Sequence, residues 1–200
     1  MSVSGTAAYD REVALPPLVA SAVEAARRVG FAHSCLPAQG RLLRLLAGGA
    51  GAGVIGETGT GCGVGLAWLA GGADPGARLV SVEREPRLAA VAAEVFAADP
   101  RVEVRVAQWR DLRAAGPFDL LVLDGGGQGK ADEPPLDPED WLRPGGLVVL
   151  DDFTPATTWP PMHDGRPDTA RLQWLCHRWL RAAEIRVSPD AATIVGTYLG

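Results

Sequence analysis

The stretch Val54-Ile55-Gly56-Glu57-Thr58-Gly59-Thr60-Gly61-Cys62-Gly63 decides how the rest of the chain is read. It begins as a short apolar strand, sets an acid at the strand's end and runs on through Gly59, Gly61 and Gly63 at alternate positions. An apolar run from Val64 to Ala70 follows at once and predicts a helix. Glycines at this spacing let a chain leave a strand, turn tightly and start a helix with no side chain in the way of a ligand. Nucleotide-like ligands sit at such junctions.

Beyond this stretch, strand-like and helix-like segments alternate, the pattern of a parallel sheet covered by helices on both faces. Strands are expected near 53–57, 78–83, 101–106, 118–123, 146–151, 183–188 and 193–199, and helices near 63–71, 86–98, 109–114, 136–142 and 168–181. The run Leu120-Leu121-Val122-Leu123 is continuously apolar, as a strand buried on both faces requires. The link around Ser188-Pro189-Asp190 is too short for a crossover, so the last two strands form an antiparallel hairpin.

Upstream, Pro16 opens a helix over 17–29, with Leu18, Val19, Ala22, Val23, Ala26 and Val29 at helical spacing and Gly30 at its end. A second helix is expected over 38–46, stopped by Gly48-Gly49, and residues 1–12 read as mobile. The irregular segments 124–136 and 152–167 both follow carboxyl ends of strands, where open α/β sheets bind ligands. The expected architecture is one α/β domain over 1–200, with an N-terminal helical lid (1–50) on a doubly wound core (51–200). Its seven-stranded sheet is mostly parallel, with the antiparallel hairpin at the carboxyl end.

Two hundred residues suit one domain with a full core. The formal net charge is −5 and Lys130 is the only lysine, so nothing favours a nucleic-acid partner held by phosphate neutralisation. Cys35, Cys62 and Cys176 are far apart, which argues against a disulfide framework or a zinc site and for a reducing cytoplasm. No apolar run has the length of a signal peptide or a membrane span, so no membrane partner is expected.

One look-alike is set aside. Gly51-Ala52-Gly53-Val54-Ile55-Gly56 has the dinucleotide-binding spacing G-x-G-x-x-G, but it precedes the strand instead of following it. The glycines that do follow lack the third member of that spacing, since position 64 is valine.

What remains, Glu57-Thr58-Gly59-Thr60-Gly61-Cys62-Gly63, resembles the first motif of class I S-adenosylmethionine-dependent methyltransferases, a Rossmann-like family. The resemblance implies that Glu57 lies near the ligand's amino-acid end, and that Gly59, Thr60, Gly61 and Gly63 bring the backbone to it. Twenty-six residues later Glu83 ends the second strand, where an acid can accept hydrogen bonds from ribose hydroxyls; read alone, it is an exposed strand-end charge. After the third strand, Gln108 stands where the family usually has an aspartate that reads the adenine amino group. Trp109 beside it suits stacking, with a core role as the alternative. Ser34-Cys35-Leu36-Pro37-Ala38-Gln39-Gly40 is similar to the segment that small-molecule O-methyltransferases set over the cofactor, which brings in Ser34.

Three further acids follow strand ends: Asp124 after the fourth, Asp151 and Asp152 after the fifth. Close carboxylates repel one another unless protonated or bridged, and oxygen-rich clusters suit Mg²⁺, Ca²⁺ or Mn²⁺. The pattern is similar to the cation-dependent, catechol-type O-methyltransferases, which implies Asp124, Asp151 and Asp152 as metal ligands and an acceptor oxyanion as the nucleophile. Two positions depart: Asp152 stands where Asn is usual, and Gly127 stands where the family has its lysine base. Lys130 and His163 are the candidate bases in its place, and Asp124 also belongs to the cofactor pocket. The alternative for the trio is that Asp151 and Asp152 cap their loop while Asp124 lines the pocket without a metal.

The leading expectation is therefore methyl transfer from S-adenosylmethionine to a small molecule, at oxygen, with a divalent metal such as Mg²⁺ assisting. Against it stand a cofactor-binding protein without transferase activity and a nicotinamide-dependent oxidoreductase. A homodimer through the N-terminal helices is a further expectation.

Overall fold

The computed structural model describes residues 5–130 and 133–200. The apolar run of the fourth strand forms as expected and sits at the centre of the main sheet. Its strands are β1 (Val54–Thr58), β2 (Arg78–Glu83), β3 (Val102–Val106), β4 (Phe118–Leu123), β5 (Leu142–Phe153), β8 (Leu180–Arg186) and β9 (Ala192–Tyr198). They lie in the order β3-β2-β1-β4-β5-β9-β8, and β9 alone runs antiparallel to both neighbours. Two short strands, β6 (Met162–His163) and β7 (Arg166–Pro167), make a separate hairpin that the sequence did not signal.

Side chains alternate across the sheet. Leu120 and Val122 face a core built with helices α1 (Pro17–Arg28), α2 (Pro37–Gly49), α3 (Val64–Gly72) and α4 (Pro86–Val95). Leu121 and Leu123 face the other core, with Leu112, Trp141 and Trp174 from the opposite layer. That layer contains the short helices α5 (Pro138–Trp141) and α6 (Thr169–Leu175). Both faces of β4 are thus covered, which is why its sequence shows no polar alternation. The chain runs outward from β1 through β2 to β3, then returns to β4 on the other side of β1. The switch opens a crevice at the carboxyl ends of the strands.

Helix α3 is buried along most of its length because α1 and α2 lie on it. Close approach of α2 depends on Gly40, where a Cβ would stand 2.1 Å from Trp68 Nε1. That indole nitrogen donates to the Tyr9 hydroxyl at 2.9 Å.

Here the expectation of a mobile amino terminus is corrected. Thr6–Arg11 form a 3₁₀ helix with Thr6 and Tyr9 buried, since an aromatic ring with a satisfied hydroxyl repays ordering; residues 1–4 lie outside the described residues. Helices α1 and α2 pack on α3, and the turn between them, around Phe31–Cys35, reaches the crevice together with Gln39 and Leu43 of α2.

Other boundaries shift for local reasons. Helix α6 ends at Leu175, where expectation ran to 181, because a turn at His177 returns Leu180 to the core as the start of β8. Strand β5 starts early, at Leu142, and absorbs Pro144-Gly145-Gly146 through a register shift against β4. The segment Trp109–Ala115 is 3₁₀ and not α-helical. No helix among the described residues is long and apolar enough to cross a membrane.

Candidate active site

Glu57, next to last in β1, is almost fully buried. Ser81 Oγ from β2 donates to its Oε2 at 2.6 Å, and the Thr60 hydroxyl lies 2.5 Å from Ser81 Oγ. Burial raises the Glu57 pKa to about 8; the Ser81 bond pulls the other way and Glu83 adds to the rise. Gly65, in the first turn of α3, gives the carboxylate room, since a Cβ there would stand 2.6 Å from Oε1.

The three loop glycines all have positive φ: 86° at Gly59, 53° at Gly61 and 87° at Gly63. Gly59 and Thr60 both donate their amides to the Val82 carbonyl. Gly61 donates to Glu83 Oε2 at 2.8 Å, while Glu83 Oε1 accepts from the Glu85 amide at 2.9 Å. Glu83 is therefore held by two backbone amides, and its remaining lone pairs face the cavity it lines. Gly63 stands apart from the cavity lining and caps α3 instead, against the Phe96 ring.

This cavity, of about 580 Å³, is lined by Ser34, Glu57, Gly59, Thr60, Gly61, Glu83, Gln108, Trp109 and the three acids Asp124, Asp151 and Asp152. Ser34 is buried with its hydroxyl 2.7 Å from that of Thr6. Gln108 caps the segment it begins, its amide donating to Asp111 Oδ2 at 3.0 Å. Trp109 backs onto Gly126, where a Cβ would stand 2.4 Å from the indole, and donates its Nε1 hydrogen to Glu133. The exposed Arg110 guanidinium lies 4.3 Å from the Trp109 ring centroid, so a ring stacked there must displace it.

Asp124, Asp151 and Asp152 offer carboxylate oxygens that all lie within 4.8 Å of one another. Burial, then Asp151 and Asp152, drives the Asp124 pKa well above the usual carboxylate range. Burial and Asp152 raise Asp151 to about 6. Such a trio is held at neutral pH by protons or by a cation. All three donors are hard oxygens, and their spread matches a coordination shell roughly 4–5 Å across, so they fit a hard divalent cation.

Lys130 lines neither this cavity nor a second one, of about 620 Å³, that shares the three carboxylates with it. Its Nζ donates to the main-chain carbonyls of Asp151 at 2.7 Å and Asp152 at 2.8 Å, and lies 4.1 Å from the Phe153 ring centroid. Gln128 Nε2 donates to the carbonyls of Leu123 and Asp151, and the buried Arg171 donates to that of Thr154. The acid pair is thus fastened through its backbone, with Asp152 in the left-handed region at φ 67°. His163 is exposed on the β6–β7 hairpin and lines neither cavity. Sequence reasoning passed over Ser81, although a lone polar residue two before Glu83 in an apolar strand was a usable signal. It also passed over Gln128 and Arg171, which carried none.

Residues 57–153 match the family model described as a methyltransferase domain. Among curated proteins, the chain is 34% identical over 134 residues to a catechol O-methyltransferase of Niastella koreensis, covering 60% of this chain and 58% of that one. It is 39% identical over 116 residues to a catechol O-methyltransferase of Mycobacterium tuberculosis, covering 54% and 52%. The chain thus spans between half and three-fifths of the length of these relatives. Among solved structures, the O-methyltransferase TomG of Streptomyces achromogenes, in complex with S-adenosylmethionine, superposes with a TM-score of 0.73 at 24% identity over 98% of this chain and 96% of that one. The O-methyltransferase of Bacillus cereus, in complex with S-adenosylhomocysteine, gives 0.70 at 20% identity over 96% of each. The matched segment runs from the acid of β1 to the end of β5 across the whole crevice, and the chain has the Rossmann-like fold of these methyltransferases.

Proposed function

We propose that the protein transfers the methyl group of S-adenosylmethionine to an oxygen of a small molecule, with a divalent cation held by Asp124, Asp151 and Asp152. The observation that carries this reading is the continuity of one cavity from Glu57 and Glu83 to the acid trio. Glu57 takes the ligand's ammonium, and that positive charge favours its ionised form. Glu83 takes the ribose hydroxyls, and Gly59 and Gly61 let the backbone close on the nucleoside without a side chain between. The trio stands where the acceptor's oxygen must arrive, and the walls exclude water and hold donor and acceptor in line.

S-adenosylmethionine supplies a methyl on a sulfonium. The acceptor oxygen forms the new C–O bond as the C–S bond breaks, S-adenosylhomocysteine leaves, and the hydroxyl proton passes to solvent or to a carboxylate of the trio. A hard cation bound there supplies charge that neutralises the trio and acidifies an acceptor hydroxyl.

Calorimetry with S-adenosylmethionine and with NAD tests the donor: binding of NAD and not S-adenosylmethionine refutes the reading. Methyl transfer to vicinal phenols with and without Mg²⁺ tests the reaction.

A further inference from the structure

Methyl transfer leaves one proton to dispose of: a neutral hydroxyl and a sulfonium become an ether, a thioether and H⁺. The two cavities that meet at the carboxylates share His33, Ser34, Cys35, Asp124, Asp151 and Asp152. The second cavity is closed on its far side by α2 and by the turn 187–191 between β8 and β9.

Among these shared residues, the trio is already held by protons or by a cation. The Ser34 hydroxyl is paired with that of Thr6 at 2.7 Å, and an unactivated hydroxyl is no base at neutral pH. Cys35 faces the Tyr9 hydroxyl at 3.8 Å, and burial holds its thiol protonated. His33 remains. Imidazole is the side chain that most often takes up protons near neutrality. Of the chain's three histidines, His33 alone lines either cavity, and Lys130 is committed to two carbonyls.

The backbone fixes His33 from both sides. Thr6 donates its amide to the Ala32 carbonyl at 3.0 Å and its hydroxyl to the Phe31 carbonyl at 2.7 Å, and it meets Ser34 beyond. Thr6 is itself buried, and Gly5 lets the two segments close, since a Cβ there would stand 1.7 Å from the Ser34 carbonyl oxygen. The Phe31 ring packs on the donor loop, where a Cβ on Gly61 would lie 2.9 Å from it. That ring meets the imidazole edge-on, with centroids 5.8 Å apart and planes at 77°. His33 therefore stands beside the donor loop, exposed, and no described residue hydrogen-bonds its ring nitrogens.

We propose that His33 is the proton acceptor of the reaction. A ring nitrogen takes the acceptor hydroxyl's proton as the C–O bond forms, and the imidazolium releases it to solvent on its exposed side. The proposal rests on the methyltransferase reading for the reaction, and on the wall shared by the two cavities for the residue.

Two measurements test it. With S-adenosylhomocysteine and Mg²⁺ bound, catechol should move the His33 Cε1 proton resonance toward its imidazolium position; the signal is assigned as the one missing from His33→Gln. In turnover with S-adenosylmethionine, Mg²⁺ and catechol, His33→Gln should lower kcat about 100-fold. The same variant should keep its affinities for S-adenosylhomocysteine and Mn²⁺, and should regain rate when imidazole is added. A resonance that ignores catechol overturns the proposal. So does a kcat that His33→Gln leaves in place, or a loss that imidazole does not restore. A loss of rate that follows lost cofactor or Mn²⁺ affinity also overturns it, because the residue is then structural. Failure of the underlying reading shows in the unmodified protein instead, as no methyl transfer or no affinity for S-adenosylhomocysteine, and takes the proposal with it.

Discussion

Gly59 and Gly125 meet backbone to backbone: a Cβ on Gly59 would stand 2.5 Å from the Gly125 nitrogen, and one on Gly125 2.4 Å from the Gly59 Cα. The loops after β1 and β4 therefore touch at the switch point through two residues without side chains. Asp124 is carried by that contact, because both it and Gly125 donate their amides to the Thr58 carbonyl. Gly125→Ala should lower stability by about 1–3 kcal/mol through overpacking, and should weaken S-adenosylmethionine binding in calorimetry. Unchanged melting and affinity would show that the loops part at little cost.

Glu57 gives stability a pH slope of definite sign. Its carboxyl is held protonated up to about 8 by burial, against a usual value of 4.5. Between these values the unfolded chain ionises and the folded one does not. The contribution is full below 4.5 and falls by about 1.4 kcal/mol per pH unit on the way to 8. Denaturation of the ligand-free protein at pH 5 and pH 8 should show it less stable at the higher pH, and Glu57→Gln should remove much of that difference. Asp151 and Asp124 act with the same sign and leave a residual slope.

A cation on the acid trio should oppose that trend. Mn²⁺ or Mg²⁺ at pH 7–8 should raise the melting temperature, and Asp151→Ala should cut Mn²⁺ affinity at least tenfold by electron paramagnetic resonance. Turnover that ignores both a chelator and Asp151→Ala would sink the metal role.

Lys130 should behave as a brace and not as a base. Its ammonium is committed to two carbonyls, and burial lowers its pKa. Lys130→Met should weaken Mn²⁺ binding while leaving the position of the pH–rate profile in place, and Lys130→Arg should restore part of the affinity. Loss of the ascending limb of the pH profile in Lys130→Met, with metal binding intact, would instead make it the base.

Tyr9→Phe removes the partner of the buried Trp68 indole and should cost about 1–3 kcal/mol in chemical denaturation. No effect would mean that the indole finds water.

The sheet was legible because its signals are local. Leu120–Leu123 reads as doubly covered, and Glu57 and Glu83 stand at strand ends whose spacing follows from a single strand–helix–strand unit. Features that depend on distant partners gave no such signal. Tyr9 is ordered by a residue 59 positions away, and the Gln39 amide is oriented by one 154 positions away. Lys130 shows the limit from the other side: its identity invited a chemical role, while its direction was set by the carbonyls of a loop that only the folded chain brings near.

The far wall of the second cavity comes from a different part of the chain than its carboxylates. Arg11, Leu36, Gln39 and the turn 187–191 all lie outside residues 57–153, the segment that matches the methyltransferase domain. Under our reading, the donor pocket's acids and the acid trio lie within that segment, and this far wall lies in its flanks. Substitutions in those flanks would then reshape this wall while leaving Glu57, Glu83 and the acid trio intact.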